Sequence, residues 1–188
     1  MAAHLIRRGF LGLLALCLTT ACASAPAPAP AGETSAAPAA VVRLFLVRHG
    51  EKETGSDPAL TAEGAARAKA LAERLKDEGV TEIWSTQTRR TQQTAAPLAV
   101  QRGLQVQTYD ASTLPAFASW LRDAPGVKLV VGHSNTTDAL AALLGAEQGP
   151  VIDDASEFDR LYVIAIDESG IVRSRMERYG AASPVAAE

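Results

Sequence analysis

From Val41 to Tyr179, short apolar runs rich in β-branched residues alternate with stretches of helical period, and nothing else in the chain constrains its fold as strongly. "VVRLFLV" (41–47) and "VKLVVG" (127–132) are nearly continuous apolar sequence, as expected of strands covered on both faces. "VTEIWST" (80–86) reads as another strand, and "LQVQTY" (104–109) alternates like a half-exposed one. Between the first two strands, Ala68, Leu71, Ala72 and Leu75 fall at i, i+3, i+4 and i+7, with Thr61 as N-cap and Gly79 as stop. "RRTQQTAAPLAVQRG" (89–103) reads as a helix interrupted or ended near Pro97. Ser112 is placed to cap a helix carrying Phe117, Trp120 and Leu121, and a further helix starting near Asn135 or Thr136 carries Leu140, Leu143 and Leu144 and ends at Gly145. "RLYVIAID" and "GIVRSRMERY", joined at Glu168, Ser169 and Gly170, form an expected β-hairpin. The pattern predicts an α/β fold over 41–180: a three-layer sandwich with a mostly parallel central sheet, helices on both faces and the C-terminal antiparallel hairpin at the edge.

In such sheets ligands bind beyond the carboxyl ends of the parallel strands. Arg48 and His49 follow the first strand, Arg89 and Arg90 come shortly after the second, Asp110 follows the third and His133 ends the fourth. Each strand therefore delivers an ionisable group to one rim, and His49 and His133 are the only histidines beyond the N-terminal segment.

That segment reads differently from the rest. Residues 1–23 join a basic start (His4, Arg7, Arg8) to the apolar run "GFLGLLALCLTTA" and small residues around Cys22, the layout of an export signal. The run is short for a membrane span, although an uncleaved anchor is the alternative. "LTTAC" resembles a bacterial lipoprotein signal with Cys22 as the lipidated residue, although Thr19 stands where such signals prefer leucine; ordinary cleavage after Ala23 or Ala25 is the rival. Both cysteines of the chain lie in this segment, so the domain has no thiol for a disulfide, a metal or nucleophilic attack. Residues 24–40 are Pro/Ala-rich and read as a linker, and 181–188 as a flexible tail. The expected location is periplasm or cell envelope, with a membrane tether if Cys22 is lipidated. A net charge of −3 gives no footprint for nucleic acid.

Two histidines, at least two arginines and a carboxylate at one rim suit phosphoryl transfer. Arginine offers a planar fork of donors for phosphate oxygens, a neutral imidazole is a competent nucleophile, and a second imidazole, if protonated, adds positive charge where negative charge develops. A helix beginning just after His133 turns its free N–H groups toward an anion, which makes Ser134 and Asn135 candidate substrate contacts. Two histidines with no His-x-x-x-His spacing do not form a metal site, and the mechanism calls for no cofactor.

At this point four stretches, "LVRHGE" (46–51), "LTAEG" (60–64), "STQTRRTQQTA" (85–95) and "VVGHSNT" (130–136), resemble in order the motif blocks of the histidine phosphatase superfamily, the phosphoglycerate-mutase-like family, and in its short form the chain is similar to the small phosphohistidine-phosphatase-like branch. The resemblance implies that His49 is the phosphorylated nucleophile, Arg48 a phosphate ligand and His133 the second pocket histidine. Aligning "RTQQTA" with the family pattern selects Arg90 and leaves Arg89 on the flank. A general acid is sought first in Asp110, then Glu51, then Asp138. The substrate class implied is a phosphorylated small molecule or phosphoprotein, hydrolysed as a phosphomonoester or phosphohistidine. A catalytically silent envelope-tethered anion-binding module is the alternative, and a mutase is disfavoured because the chain lacks a large lid segment.

Overall fold

The computed structural model describes residues 40–183. The expected signal, Cys22, most of the linker and the last five residues of the expected tail lie outside these residues. Six strands form one sheet: β1 (Ala40–Arg48), β2 (Glu82–Ser85), β3 (Val106–Thr108), β4 (Gly126–Gly132), β5 (Arg160–Asp167) and β6 (Val172–Arg178), in the order β3-β2-β4-β1-β5-β6. The first four in that order are parallel; β5 pairs antiparallel with β1, and β6 with β5. The expected hairpin is therefore an edge, as the alternating polar residues of β6 suggest.

Period-two burial divides the core between the two faces. Leu44 and Leu46 of β1, Val130 of β4 and Tyr162 and Ile164 of β5 pack under α3 (Leu114–Asp123) and α4 (Ser134–Leu143) through Phe117, Leu121, Leu140 and Ala141. Phe45, Val47, Leu129, Val131, Leu161 and Val163 meet α1 (Ala62–Leu75) and α2 (Arg89–Arg102) through Leu71, Leu75, Ala95 and Leu98. The result is the three-layer sandwich that the alternation predicts.

Local capping follows the sequence in most places. The Thr61 hydroxyl accepts a hydrogen bond from Gly64 N, so the expected N-cap of α1 is in place. Two expectations fail. Pro97 does not interrupt α2, which runs on to Arg102 and closes on Gly103 at φ 65°. Burial of Leu98 and Ala99 on the sheet offsets the roughly 3 kcal/mol that an interior proline costs. Nor does Ser112 cap α3: it lies in a single 3₁₀ turn (Ala111–Thr113) capped by Asp110, whose Oδ1 accepts from Ser112 N at 2.8 Å and from Ser112 Oγ at 2.7 Å. The first residues of the expected tail are also held down, since Arg67 donates to Ala181 O and Ser183 N donates to Asp159 Oδ2. No helix among the described residues is long and apolar enough to cross a membrane.

Candidate active site

Register brings the two histidines together. Arg48 pairs with Gly132 across β1 and β4, and His49 N then donates to Gly132 O at 3.0 Å, so His49 and His133 leave neighbouring parallel strands at the same level. Their ring centroids stand 5.4 Å apart, edge to face. The loop carrying His49 is held by close backbone approach to α1: a Cβ on Gly64 would lie 2.1 Å from Glu51 O, and one on Gly50 would lie 2.9 Å from Gly64 O. Gly50 N also donates to Thr94 Oγ1, which ties the loop to α2.

His49 is 3% exposed. Its Nδ1 lies 2.8 Å from Gly50 O, which accepts a proton only, so Nδ1 carries the hydrogen and Nε2 keeps its lone pair. Burial, reinforced by the charges of Arg48 and Arg90, pushes its pKa down to about 3, so the ring is neutral near pH 7. His133 is fixed in the other tautomer. Arg90 Nη2 donates to its Nδ1 at 3.2 Å, leaving Nε2–H to donate to Thr86 Oγ1 at 2.9 Å. Burial and then Arg90 and Arg48 lower its pKa to about 4. The second histidine is thus neutral here, because it is buried and sits beside two guanidinium groups.

Arg48 is 2% exposed and lies over the Phe158 ring at 4.1 Å. Its terminal nitrogens donate to Asp153 O, Glu157 O, Asp154 O and Asp154 Oδ1 at 2.7–3.1 Å. The Nε atoms of Arg48 and Arg90 are both buried without a hydrogen-bond partner among the described residues; Arg48 has committed its four terminal N–H groups, whereas Arg90 has committed only one, to His133. Of the adjacent arginines, Arg90 reaches His133, whereas Arg89 is exposed and contributes its backbone N–H to Asp57 Oδ1.

The three candidate acids are occupied elsewhere. Asp110 is exposed and serves as the cap described above; β3 is three strands from β1, about 14 Å at ordinary strand spacing. Glu51 takes a bidentate ion pair from Arg67, at 2.6 Å to Nη2 and 3.0 Å to Nε, and this pairing outweighs burial to hold its carboxyl below the usual range. Asp138 accepts from Tyr162 OH at 2.8 Å and pairs with Arg160 at 3.3 Å. Ser134 does face the cluster, donating through Oγ to Asp154 Oδ1, while Asn135 is exposed at the first turn of α4, where N–H groups lack intrahelical acceptors.

Sequence reasoning missed Thr86, Asp57, Asp154 and Phe158. Asp57 links the loop after β1 to the start of α2 and lies 4.0 Å from Arg90. Asp154 and Phe158 come from the segment leading into β5. A strand antiparallel to β1 must begin at the rim where the parallel strands end, so "DDASEFD" (153–159) belonged to the site as soon as the hairpin strands were placed. A groove of about 460 Å³ between α1 and α2, lined by Leu60, Ala68, Gln93, Pro97 and Val100 among others, shares no residue with the cluster. No group of three or more His, Cys, Asp or Glu among the described residues is arranged to hold a metal ion.

The model of the histidine phosphatase superfamily (branch 1) matches residues 44–112. The probable phosphoglycerate mutase GpmB of Yersinia enterocolitica is 40% identical over 76 residues, 36% of this chain and 35% of that protein, and human 6-phosphofructo-2-kinase/fructose-2,6-bisphosphatase 4 is 38% identical over 65 residues, 30% of this chain and 14% of that protein. The match thus spans about a third or less of these relatives' lengths. Among solved structures, the protein histidine phosphatase SixA complexed with tungstate superposes with a TM-score of 0.60 at 19% identity, covering 73% of this chain and 97% of that one. Mycobacterial glucosyl-3-phosphoglycerate phosphatase gives 0.54 at 21% identity, covering 75% and 99%. These two share the fold. Arg48, His49, Arg90 and His133 gather at the rim that the first, third and last motif blocks predict, and over residues 44–112 the chain resembles the histidine phosphatase superfamily (branch 1).

Proposed function

We propose that this protein is a metal-independent phosphatase that hydrolyses a phosphomonoester or phosphohistidine through a phosphohistidine on His49. The observation that carries the reading is the His49 tautomer. With Nδ1–H on Gly50 O, the buried ring presents an unprotonated Nε2 at neutral pH, and Arg48 and Arg90 supply positive charge nearby. Nε2 attacks phosphorus as the bond to the leaving group breaks; the guanidiniums stabilise the equatorial oxygens, and water then hydrolyses phospho-His49. A dianion drawn to Arg90 also favours protonating His133, which would convert that ring from an acceptor for Arg90 into a donor for the phosphoryl group.

Asp110, Glu51 and Asp138 are all engaged away from the histidines, which favours substrates whose leaving group departs without a proton, such as phosphoramidates, acyl phosphates and aryl esters. Export to the cell envelope, with Cys22 as lipid anchor, is part of the same proposal and is supported by the composition of residues 1–40. Incubating the full-length protein with a generic phosphomonoester and a chelator, quenching, and mapping covalent phosphate by mass spectrometry tests the mechanism. An acid-labile phosphate on His49 with release of inorganic phosphate, both lost in His49→Ala, is expected. No phosphoenzyme and no turnover across phosphomonoester and phosphoramidate donors would favour the silent anion-binding module.

A further inference from the structure

The segment between α4 and β5 brings a carboxylate to the histidine pair by a route independent of the motif blocks. Asp154 Oδ1 accepts from Ser134 Oγ at 2.6 Å and from Arg48 Nη2 at 2.8 Å. Ser134 and Arg48 are the chain neighbours of His133 and His49, so one oxygen is pinned to both strand ends that carry the histidines. Three backbone carbonyls from the same segment, of Asp153, Asp154 and Glu157, also bind the Arg48 guanidinium and fix the position of the loop. Both side-chain donors fall on Oδ1; Oδ2 makes no hydrogen bond among the described residues, and the side chain is 78% exposed. An anchored carboxylate with one oxygen free toward solvent is the geometry of a base acting on water.

We infer that Asp154 accepts the proton of the water that hydrolyses phospho-His49, an inference that rests on the phosphohistidine reading above. In this step the water oxygen forms a bond to phosphorus while the P–Nε2 bond breaks, its electron pair returning to Nε2. The water proton passes to Asp154 Oδ2 and from there to solvent, and inorganic phosphate leaves. The His49 proton stays on Nδ1, hydrogen-bonded to Gly50 O, throughout, so the ring returns to its starting tautomer. The base must be ionised at working pH, and Asp154 is: the Ser134 hydrogen bond, with the charges of Arg48 and Lys52, outweighs burial and holds its carboxyl below the usual range. The other carboxylates near this rim are committed elsewhere: Asp57 accepts through Oδ1 at the start of α2, beside Arg90 rather than Arg48, Asp153 accepts from Ser156 Oγ and Ala155 N, Glu157 pairs with Arg160 and Arg178, and Glu51 pairs with Arg67.

Rapid-quench kinetics with 4-nitrophenyl phosphate separate the two steps, since nitrophenolate release follows phosphorylation and loss of phospho-His49 follows hydrolysis. Asp154→Asn keeps an oxygen to accept from Ser134 and Arg48 but removes the base. Its phosphoenzyme is expected to decay on the order of 10²-fold more slowly, and so to accumulate during turnover, while the nitrophenolate burst changes little. Formate added to Asp154→Gly is expected to restore decay in proportion to its concentration. Phosphoenzyme decay in Asp154→Asn at the wild-type rate would overturn the inference and leave the phosphatase reading intact. A burst and a decay that slow together with a raised KM would also overturn it, assigning Asp154 to holding Arg48. Absence of any phosphoenzyme in the wild-type protein would overturn the parent reading, and this step with it.

Discussion

Replacing His49 by glutamine should make the fold more resistant to acid even as it removes the proposed nucleophile. The imidazole has an ordinary pKa of 6.5 in the unfolded chain and about 3 when buried beneath the strand ends. The unfolded state therefore binds a proton at pH values where the folded state does not, and stability falls as pH drops below 6.5, continuing to fall until the folded pKa is reached. Each pH unit in that window costs about 1.4 kcal/mol, so between pH 8 and about pH 5 this one buried group removes about 2 kcal/mol. His133 contributes in the same direction but is more exposed, so its share is smaller. The carboxylates in ion pairs lose their contribution at lower pH still, and they are common to both proteins. Urea unfolding of wild type and His49→Gln at pH 8 and pH 5, read by far-ultraviolet circular dichroism, isolates the term. The stability difference, variant minus wild type, should rise by about 2 kcal/mol on acidification. A difference that is the same at both pH values would show that His49 is not buried as a neutral ring, and the argument for its nucleophilicity would fail with it.

Two further outcomes follow from the geometry. Arg90→Ala should lower kcat/KM for a phosphomonoester by on the order of 10²-fold or more, because it removes a charge beside the reacting group, whereas Arg89→Ala should stay close to wild type; steady-state kinetics on the pair would settle the register of the third motif block. Gly64→Ala places a methyl group 2.1 Å from Glu51 O and should destabilise the protein by about 1–3 kcal/mol in chemical denaturation despite the better helix propensity of alanine.

The sheet, its helix layers and the histidine pair were legible because each depends on signals that are local in sequence. Apolar runs mark strands, and the strand ends mark the rim. Pro97 was misread because propensity is local while the burial of Leu98 that overrides it comes from the tertiary fold. Asp110 was misread for a related reason. It does end a parallel strand, but strand order, which periodicity does not report, sets β3 three places from β1. Its side chain then found the commonest use of an aspartate at such a point, capping the next turn. Asp154 was missed because no motif marks it; its place follows from the direction of β5, and a hairpin reveals that direction only after β1 is recognised as its partner.

The hold that residues 153–157 have on Arg48 has a consequence for synthesis. Its hydrogen bonds close loops of 105 to 109 residues, so the arginine next to His49 has no settled surroundings until nearly the whole domain has been made. A chain emerging N-terminus first presents His49 early, together with α1 and the adjoining strand, yet its anion pocket cannot close before the hairpin has docked. If the proposed function holds, competence to bind phosphate is therefore acquired at the end of folding, and phosphate affinity in a series of C-terminal truncations would report completion of the fold rather than its beginning.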